Sequence, residues 1–209
     1  MFYDLNVHVQ PETTVGIKEL SEVAKGYGYD AICAANHSDF GYKIEKVPNV
    51  IQGVEIVAKN VSELKRKIAI LRTEVEILVV HGGDGEINRA AAKDSRVDIL
   101  AHPWEIDHIT ARFAAENNVA LDFSMDTIIY ARGARRSRAF HAMRAGMALM
   151  RKYGTPFVIT SNSTSIYGLR SPKEMVALAM LVGMEREEAE SGLSSVPEGI
   201  VRRRLGKRP

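Results

Sequence analysis

Histidine, carboxylate and amide side chains cluster in five short motifs of this chain. The motifs are Asn6-Val7-His8, Ala35-Asn36-His37-Ser38-Asp39, Gly53-Val54-Glu55-Ile56, Ala101-His102-Pro103 and Ser161-Asn162-Ser163-Thr164. Neutral imidazole and anionic carboxylate are the ligands of zinc and manganese, so these residues could form a hydrolytic metal centre. Asparagine and threonine bind metal poorly. Whether the site is intact therefore decides whether the chain is a hydrolase.

Apolar runs of strand length precede or contain these motifs. The predicted strands cover residues 2–7, 30–34, 50–56, 75–80, 97–101, 119–123 and 157–160. They are rich in Val and Ile and lack polar alternation, which is typical of strands buried on both faces. Helical periodicity covers residues 15–25, 61–71, 86–93, 109–117 and 140–153. Capping signals at Asn60 with Glu63, and at Ser171-Pro172-Lys173-Glu174, predict two helix starts, and Gly183 predicts a stop.

Strand and helix alternate about seven times, which predicts a parallel sheet wrapped by helices. No glycine-rich phosphate fingerprint follows the first strand, and Gly82-Gly83-Asp84-Gly85 matches neither that motif nor a P-loop. We therefore predict a single α/β domain over residues 1–209, a TIM-like (β/α) barrel that is irregular or has fewer than eight units. A basic C-terminal tail is expected from about residue 202.

The carboxyl ends of parallel barrel strands converge on one face, where ligands and catalytic groups lie. The polar residues predicted to reach this face are Asn6, His8, His37, Glu55, His81, His102, Asp122 and Asn162. Any one such residue is more often a hydrogen-bonded structural group than a ligand.

Composition allows a sizeable core, since 45% of the 209 residues are hydrophobic. The single cysteine, Cys33, lies in an apolar run and is expected to be a buried thiol in a reducing compartment, without an intrachain disulfide. The N-terminus lacks a signal-peptide pattern, and no apolar run approaches the roughly 18 residues of a spanning helix. These features predict a cytoplasmic protein that does not enter membranes.

Charge is unevenly distributed, because residues 127–173 contain no Asp or Glu. The cations of this stretch are Arg132, Arg135, Arg136, Arg138, Arg144, Arg151, Lys152, Arg170 and Lys173. A second basic cluster comprises Arg202, Arg203, Arg204, Lys207 and Arg208. A long acid-free stretch is typical of a surface that faces a polyanion. The alternative is that these arginines pair with acids elsewhere, such as those in residues 185–190.

Four strand-end motifs resemble, in order, those of the polymerase and histidinol phosphatase superfamily of metal-dependent phosphoesterases. Gly53-Val54-Glu55 and His102-Pro103 match closely, whereas Asn6, Asn162 and Thr164 stand where the superfamily has His, Asp and His. Amide and hydroxyl oxygens lack the charge that two adjacent cations need. The site is therefore interpreted as degenerate, with no metal ligand expected. The vestigial candidates are His8, His37, Glu55 and His102.

The order of segments shows a more specific resemblance. The segments are Tyr3-Asp4-Leu5-Asn6-Val7, Val119-Ala120-Leu121-Asp122-Phe123-Ser124, Tyr130-Ala131-Arg132-Gly133-Ala134-Arg135-Arg136, Arg151-Lys152-Tyr153-Gly154, Phe157 to Ser163, Leu169 to Glu174, and Leu181-Val182-Gly183-Met184. Over almost the whole chain, this succession resembles the RNase P protein component 3 family, the archaeal counterpart of eukaryotic RNase P subunit thirty.

The resemblance implies a barrel related to the phosphoesterases and a role as a protein subunit of ribonuclease P. That ribonucleoprotein is the endonuclease that removes 5′ leaders from precursor tRNA. The resemblance further implies that the RNA subunit carries the chemistry with magnesium, and that this chain has no catalytic residue and no tightly bound cofactor. The implied partners are the RNase P RNA, precursor tRNA, RNase P protein component 2 and the other protein subunits.

RNA contact is predicted for five arginines in the acid-free stretch: Arg132, Arg135, Arg136, Arg138 and Arg170. Neighbouring glycine and serine are expected to leave their backbone open to close approach, and guanidinium groups pair well with phosphate oxygens. For Arg144 and Arg151 a solvated helix face is an equal alternative. Tyr130 and Tyr167 could stack on bases or pack internally.

Two other functions stay open from the residues alone. A phosphoesterase with a remodelled site would carry stoichiometric zinc or manganese, lost on mutation of His102 or Glu55. A purely structural barrel with internally paired arginines would not bind RNA at physiological salt.

Overall fold

In the computed structural model, residues 1–103 and 106–206 are described. Seven parallel strands lie side by side in chain order. They are β1 (Tyr3–Val7), β2 (Ala31–Ala34), β3 (Val50–Ile56), β4 (Ile77–His81), β5 (Ile99–Ala101), β6 (Ala120–Ser124) and β7 (Phe157–Thr160). The His8 backbone N–H, just after β1, donates to the Ser163 carbonyl after β7 at 2.8 Å. The sheet is therefore nearly closed, and the predicted TIM-like (β/α) barrel is confirmed.

Helices surround the strands. They are α1 (Ile17–Tyr27), α2 (Val61–Leu71), α3 (Gly85–Ala92), α4 (His108–Asn117), α5 (Asp126–Tyr130), α6 (Gly133–Tyr153), α7 (Pro172–Leu181), α8 (Arg186–Leu193) and α9 (Ser195–Leu205). The predicted caps are confirmed: Asn60 accepts from the Glu63 N–H at the start of α2, and Ser171 and Glu174 form a capping box on α7. Within the described ranges, no helix has the length and apolar character needed to cross a bilayer.

Strand side chains alternate between two apolar layers. In β4, Ile77 and Val79 belong to the cluster inside the barrel, whereas Leu78 and Val80 belong to the cluster beneath the helices. Both faces are buried, which explains the absence of polar alternation in the sequence. Cys33 is buried and free inside the barrel, as predicted. A Cβ atom at Gly53 would come within 2.5 Å of its sulfur, so a glycine is needed there.

Helix α9 closes the amino end of the barrel. Its Ile200 and Val201 join the interior cluster. Residues 202–205, expected to begin a basic tail, form the end of this helix.

Asp98, fully buried just before β5, anchors α9. It accepts hydrogen bonds from Arg204 Nε at 2.6 Å, from Arg203 Nη2 at 3.3 Å and from Arg72 Nη1 at 2.6 Å. Arg203 and Arg204, which belong to the second basic cluster, thus pair with an acid inside the protein. Lys207 and Arg208 lie outside the described residues.

Candidate functional site

Polar residues predicted at the strand ends meet at the carboxyl end of the barrel, with the fully buried Glu55 at their centre. Its Oε1 accepts a hydrogen bond from His81 Nδ1 at 2.6 Å, and its Oε2 accepts one from Asn6 Nδ2 at 2.9 Å. Burial acts to raise the pKa of Glu55, but the His81 hydrogen bond and the charges of His102 and His8 outweigh it and hold that pKa at about 2. Glu55 is therefore an anion in a buried position.

Four imidazole rings lie in a row beside this carboxylate. The ring centroids are 4.8 Å apart for His8 and His37, 5.2 Å for His37 and His81, and 5.0 Å for His81 and His102. The Nε2 atom of His37 lies 3.2 Å from His81 Nδ1 and 3.7 Å from Glu55 Oε1. The residues predicted as vestigial ligands are thus brought together, and His81 lies among them.

Glu12 was not among the residues predicted from the sequence, yet it holds two of these rings. Its Oε1 accepts from His37 Nδ1 at 2.5 Å, and its Oε2 accepts from His8 Nδ1 at 3.1 Å. Burial opposes ionisation, but the hydrogen bonds from His37 and His8 lower the pKa of Glu12 far below its usual range. The sequence signal was weak, because only the fold brings Glu12 to His37, 25 residues away.

Asn162 accepts a hydrogen bond from the other ring nitrogen of His8. His8 Nε2 lies 2.8 Å from Asn162 Oδ1, and Asn162 Nδ2 donates to Asp126 Oδ2 at 3.2 Å, which fixes the amide orientation. Because Nδ1 of His8 donates to Glu12, both ring nitrogens of His8 act as donors in this network. Burial lowers the pKa of His8, and the hydrogen bond and charge of Glu12 with the charge of Glu55 raise it more, to above its usual value. A ring with both nitrogens protonated has no lone pair for a metal ion.

Asp122, in β6, is buried on the same side of the barrel. Ser124 Oγ and Thr160 Oγ1 donate to it at 2.5 and 2.9 Å. Burial raises the pKa of Asp122 well above its usual value, and the charge of Glu55 adds to this against the lowering effect of those hydrogen bonds. A cavity of about 40 Å³, lined by His102, Asp122 and Ser124, has room for water-sized groups.

The donor set does not fit a two-cation phosphoesterase centre, which needs imidazole and carboxylate ligands around both ions. Asn6 presents its NH₂ group to Glu55, Asn162 accepts from His8, and Thr164 is exposed. Donor atoms converge in two groups of the described residues, one of His8, Glu12 and His37 and one of His37, Glu55 and His81. Both ring nitrogens of His8 already make hydrogen bonds, so the second group is the one that fits a divalent ion.

The predicted RNA-contacting arginines Arg135, Arg136 and Arg138 lie within α6, which begins at Gly133 rather than at residue 140. An open backbone was expected here because of the neighbouring glycine and serine. For Arg136 and Arg138 that expectation was wrong, because alanine and arginine favour helix and α6 takes up their backbone N–H groups. Arg135 lies in the first turn, where backbone N–H groups have no intrahelical acceptor.

The five arginines differ in what their guanidinium groups contact. Arg132 and Arg136 donate to backbone carbonyls at the end of α5, and Arg170 donates to carbonyls of its own loop. Arg135 and Arg138 are exposed and make no hydrogen bond or ion pair with any residue that the structure describes.

Arg151 pairs with an acid, as the alternative interpretation expected, whereas Arg144 donates to a backbone carbonyl. Arg151 pairs with Glu188 at 2.6 Å and donates to the Gly183 carbonyl, while Arg144 donates to the Leu181 carbonyl at 3.1 Å. These contacts hold α6 against α7 and α8.

Arg135 and Arg138, together with His141, line an open groove of about 1110 Å³ beside α6. Ala142 lines both this groove and the cavity at His102, so the groove leads towards the polar end of the barrel. Tyr167, in the loop after β7, is 82% exposed.

Comparisons with known proteins place this geometry in a family. The sequence profile described as RNase P subunit p30 matches residues 1–209. A protein of Methanococcoides burtonii named Ribonuclease P protein component 3 is 42% identical over 97% of this chain and 88% of its own length. A protein of the same name from Methanosarcina mazei is 38% identical over 97% of this chain and 89% of its own length.

Solved structures share the fold. In the cryo-EM structure of archaeal ribonuclease P with mature tRNA, a chain 24% identical aligns with a TM-score of 0.80 over 97% of this chain and 90% of its own length. Histidinol phosphate phosphatase of Lactococcus lactis, complexed with zinc, L-histidinol and phosphate, is 11% identical and aligns with a TM-score of 0.62 over 88% and 94%. At these identities the likeness concerns the fold alone. From the profile match and the named relatives, the chain belongs to the RNase P subunit p30 family.

Proposed function

We propose that this chain is a protein subunit of ribonuclease P that supports 5′ maturation of precursor tRNA by binding RNA. The family match and the names of its relatives support the subunit role. The proposed partners are the RNase P RNA, precursor tRNA, RNase P protein component 2 and the other protein subunits, in the cytoplasm. The chemistry is assigned to the RNA with magnesium, and no residue of this chain is assigned a catalytic role.

One observation carries the proposed RNA surface: Arg135 and Arg138 are exposed cations without a partner in the described part of the chain. Residues 127–173 contain no acidic residue that could neutralise them locally. Guanidinium groups in this state can bind phosphate oxygens without first breaking an internal ion pair.

The groove beside α6 supports the same assignment. Its wall includes Gly83 and Gly146, which have no side chain, and Ala145, which has a single methyl group, so space is left for a sugar–phosphate backbone next to the two arginines. Contacts of this kind give affinity and register without reading base sequence.

Arg132, Arg136 and Arg170 are proposed as secondary contacts. Arg132 and Arg170 each use only Nη1 for backbone carbonyls, so most of the five N–H donors of each guanidinium stay available. The carbonyls also fix the direction of these side chains, which lowers the entropy lost on binding RNA.

The test is reconstitution of precursor-tRNA cleavage from the RNA and the other protein subunits, with and without this chain. We expect omission to lower cleavage, and the double variant Arg135→Ala/Arg138→Ala to require more protein for the same stimulation. The matched control is Arg112→Ala/Arg186→Ala, which removes two exposed arginines that already pair along their helices. Equal stimulation by the two double variants at every concentration would contradict the assigned surface.

A phosphoesterase function of the chain alone is not favoured. Asn6 and Asn162 occupy two ligand positions with amides that are hydrogen-bonded to Glu55 and His8. The geometry therefore lacks the ligands for a second cation.

A further inference from the structure

We propose that this chain binds one divalent transition-metal ion of the zinc type through His37 Nε2, Glu55 Oε1 and His81 Nδ1. The three ligands follow or belong to β2, β3 and β4, so the ion would link three neighbouring strands at the carboxyl end of the barrel. This proposal departs from the expectation of no metal ligand in the chain.

The distances between the three donor atoms suit a tetrahedral ion. They are 3.2 Å between the two imidazole nitrogens, 2.6 Å between His81 Nδ1 and Glu55 Oε1, and 3.7 Å between His37 Nε2 and Glu55 Oε1. Zinc bonds of about 2.0–2.1 Å place the ligands of a tetrahedral ion about 3.3 Å apart. The observed distances lie on both sides of that value, so small side-chain movements are enough.

The hydrogen bonds among these three residues show which proton the ion would replace. His37 donates its Nδ1 proton to Glu12, which leaves the lone pair of its Nε2 facing His81 Nδ1. Glu55 Oε1 faces the same His81 atom. One proton, on His81 Nδ1, thus lies where three donor atoms converge. The ion takes its place, and the neutral His81 ring carries its proton on Nε2.

Glu12 acts as a positioning residue for this site. A ligating histidine usually donates its other ring N–H to a carboxylate, which fixes the tautomer and the ring direction. The 2.5 Å contact between Glu12 Oε1 and His37 Nδ1 supplies that arrangement, and a second hydrogen bond from the His37 backbone N–H to Glu12 Oε2, at 2.8 Å, holds the carboxylate.

His8 explains why we propose one ion and not two. Its two nitrogens donate to Glu12 and Asn162, so neither faces a cation with a lone pair. The second oxygen of Glu55 is already occupied by Asn6 and lies 3.6 Å from His8 Nε2. The donor atoms of His8, Glu12 and His37 also converge, but the hydrogen bonds from His8 and His37 to Glu12 already occupy them, so no second ion is proposed there.

The test uses the purified full-length chain, stripped with a chelator and titrated with Zn²⁺ by calorimetry, with the bound ion counted by elemental analysis. Co²⁺ provides a second readout, since its absorption spectrum reports tetrahedral nitrogen and oxygen ligands. We expect one ion per chain. The variants His81→Ala and Glu55→Gln should lose binding, and Glu12→Gln should weaken it about 10–100-fold. His8→Ala should keep one ion.

The matched control is His108→Ala, an exposed histidine at the start of α4, which should bind as the unmodified chain does. Circular dichroism separates lost binding from lost folding, and the Co²⁺ spectrum of the unmodified chain tests the ligand geometry even if a variant does not fold. Two ions per chain, no bound ion, or unchanged affinity in His81→Ala would each overturn the proposal.

Discussion

The Nε2 atom of His8 lies 2.8 Å from the Oδ1 atom of Asn162. An aspartate at position 162 would leave the ends of β1 and β7 joined through a potential metal ligand. The amide instead makes His8 a hydrogen-bond donor on both sides, since Glu12 takes the other ring proton. Through this hydrogen bond, position 162 connects the end of β1 to the end of β7 and does not offer a metal ligand.

The hydrogen bond between His8 and Asn162 should contribute measurably to the unfolding free energy. Asn162 has a φ of +47°, a conformation that costs an alanine about 1–2 kcal/mol, and a lost hydrogen bond to His8 costs about 1 kcal/mol more. We expect Asn162→Ala to lower the unfolding free energy by roughly 2–3 kcal/mol in urea titrations. Asn162→Gly tolerates the backbone conformation and should cost less. Equal losses for the two variants would rule out the backbone contribution.

Asp4 should make stability depend on pH. Complete burial raises its pKa to about 6, against the lowering effect of hydrogen bonds from Ser161, whereas the unfolded value is about 3.9. The folded state therefore holds more protons than the unfolded state between these values, so this residue's contribution to stability is lost as pH rises through about 6.

Asp4→Asn removes that titration, and a neutral amide oxygen can still accept from the Ser161 N–H. As pH rises from 4 to 7, we expect the unfolding free energy of the variant to increase by roughly 2–3 kcal/mol relative to that of the unmodified chain. Denaturant titrations at both pH values measure the difference. A difference that is the same at pH 4 and pH 7 would show that Asp4 does not titrate as described.

Asp98 should hold α9 on the barrel. Removing one partner of a buried ionic cluster costs about 3–5 kcal/mol. Asp98→Asn should therefore destabilise strongly, because Arg72, Arg203 and Arg204 lose the negative charge and one of the two oxygens that they share. Arg202→Ala, which breaks an exposed pair with Glu198 on the same helix, should cost under about 1 kcal/mol. Hydrogen exchange of α9 amides compares the two variants, and similar protection in both would contradict the anchoring role.

Tyr167 should contribute to RNA binding but not to stability. Its side chain is 82% exposed, so truncation removes little packing. If it stacks on a base, Tyr167→Ala should weaken RNA binding by about 1–3 kcal/mol, while Tyr167→Phe keeps the ring and the affinity. Filter binding and thermal melts separate the two effects. Unchanged affinity in Tyr167→Ala would place the tyrosine outside the RNA surface.

Much of the barrel could be predicted from the sequence because its strands are short, continuous and apolar. The bounds of β3, β7 and α2 match the predicted residues, and the capping signals at Asn60 and Ser171 mark real helix starts. The convergence of polar residues on one face followed from the parallel direction of the barrel strands.

The first turns of α6 were missed because glycine and serine interrupt a basic segment without apolar periodicity. Helices α5, α8 and α9 were missed as well; α5 is only five residues long, and α8 and α9 are polar on average.

The role of Glu12 depends on tertiary contacts alone. Likewise, the sequence could not separate Arg151, which pairs with Glu188, from the unpaired Arg135.

The proposed RNA surface is tested most directly by the salt dependence of binding between this chain and the RNase P RNA. Each phosphate contact contributes about 0.7–0.9 to the slope of log affinity against log salt concentration. We expect Arg135→Ala/Arg138→Ala to reduce that slope by about 1.4–1.8, and Arg112→Ala/Arg186→Ala to leave it unchanged. A slope in Arg135→Ala/Arg138→Ala equal to that of the unmodified chain would contradict the assignment of RNA binding to α6.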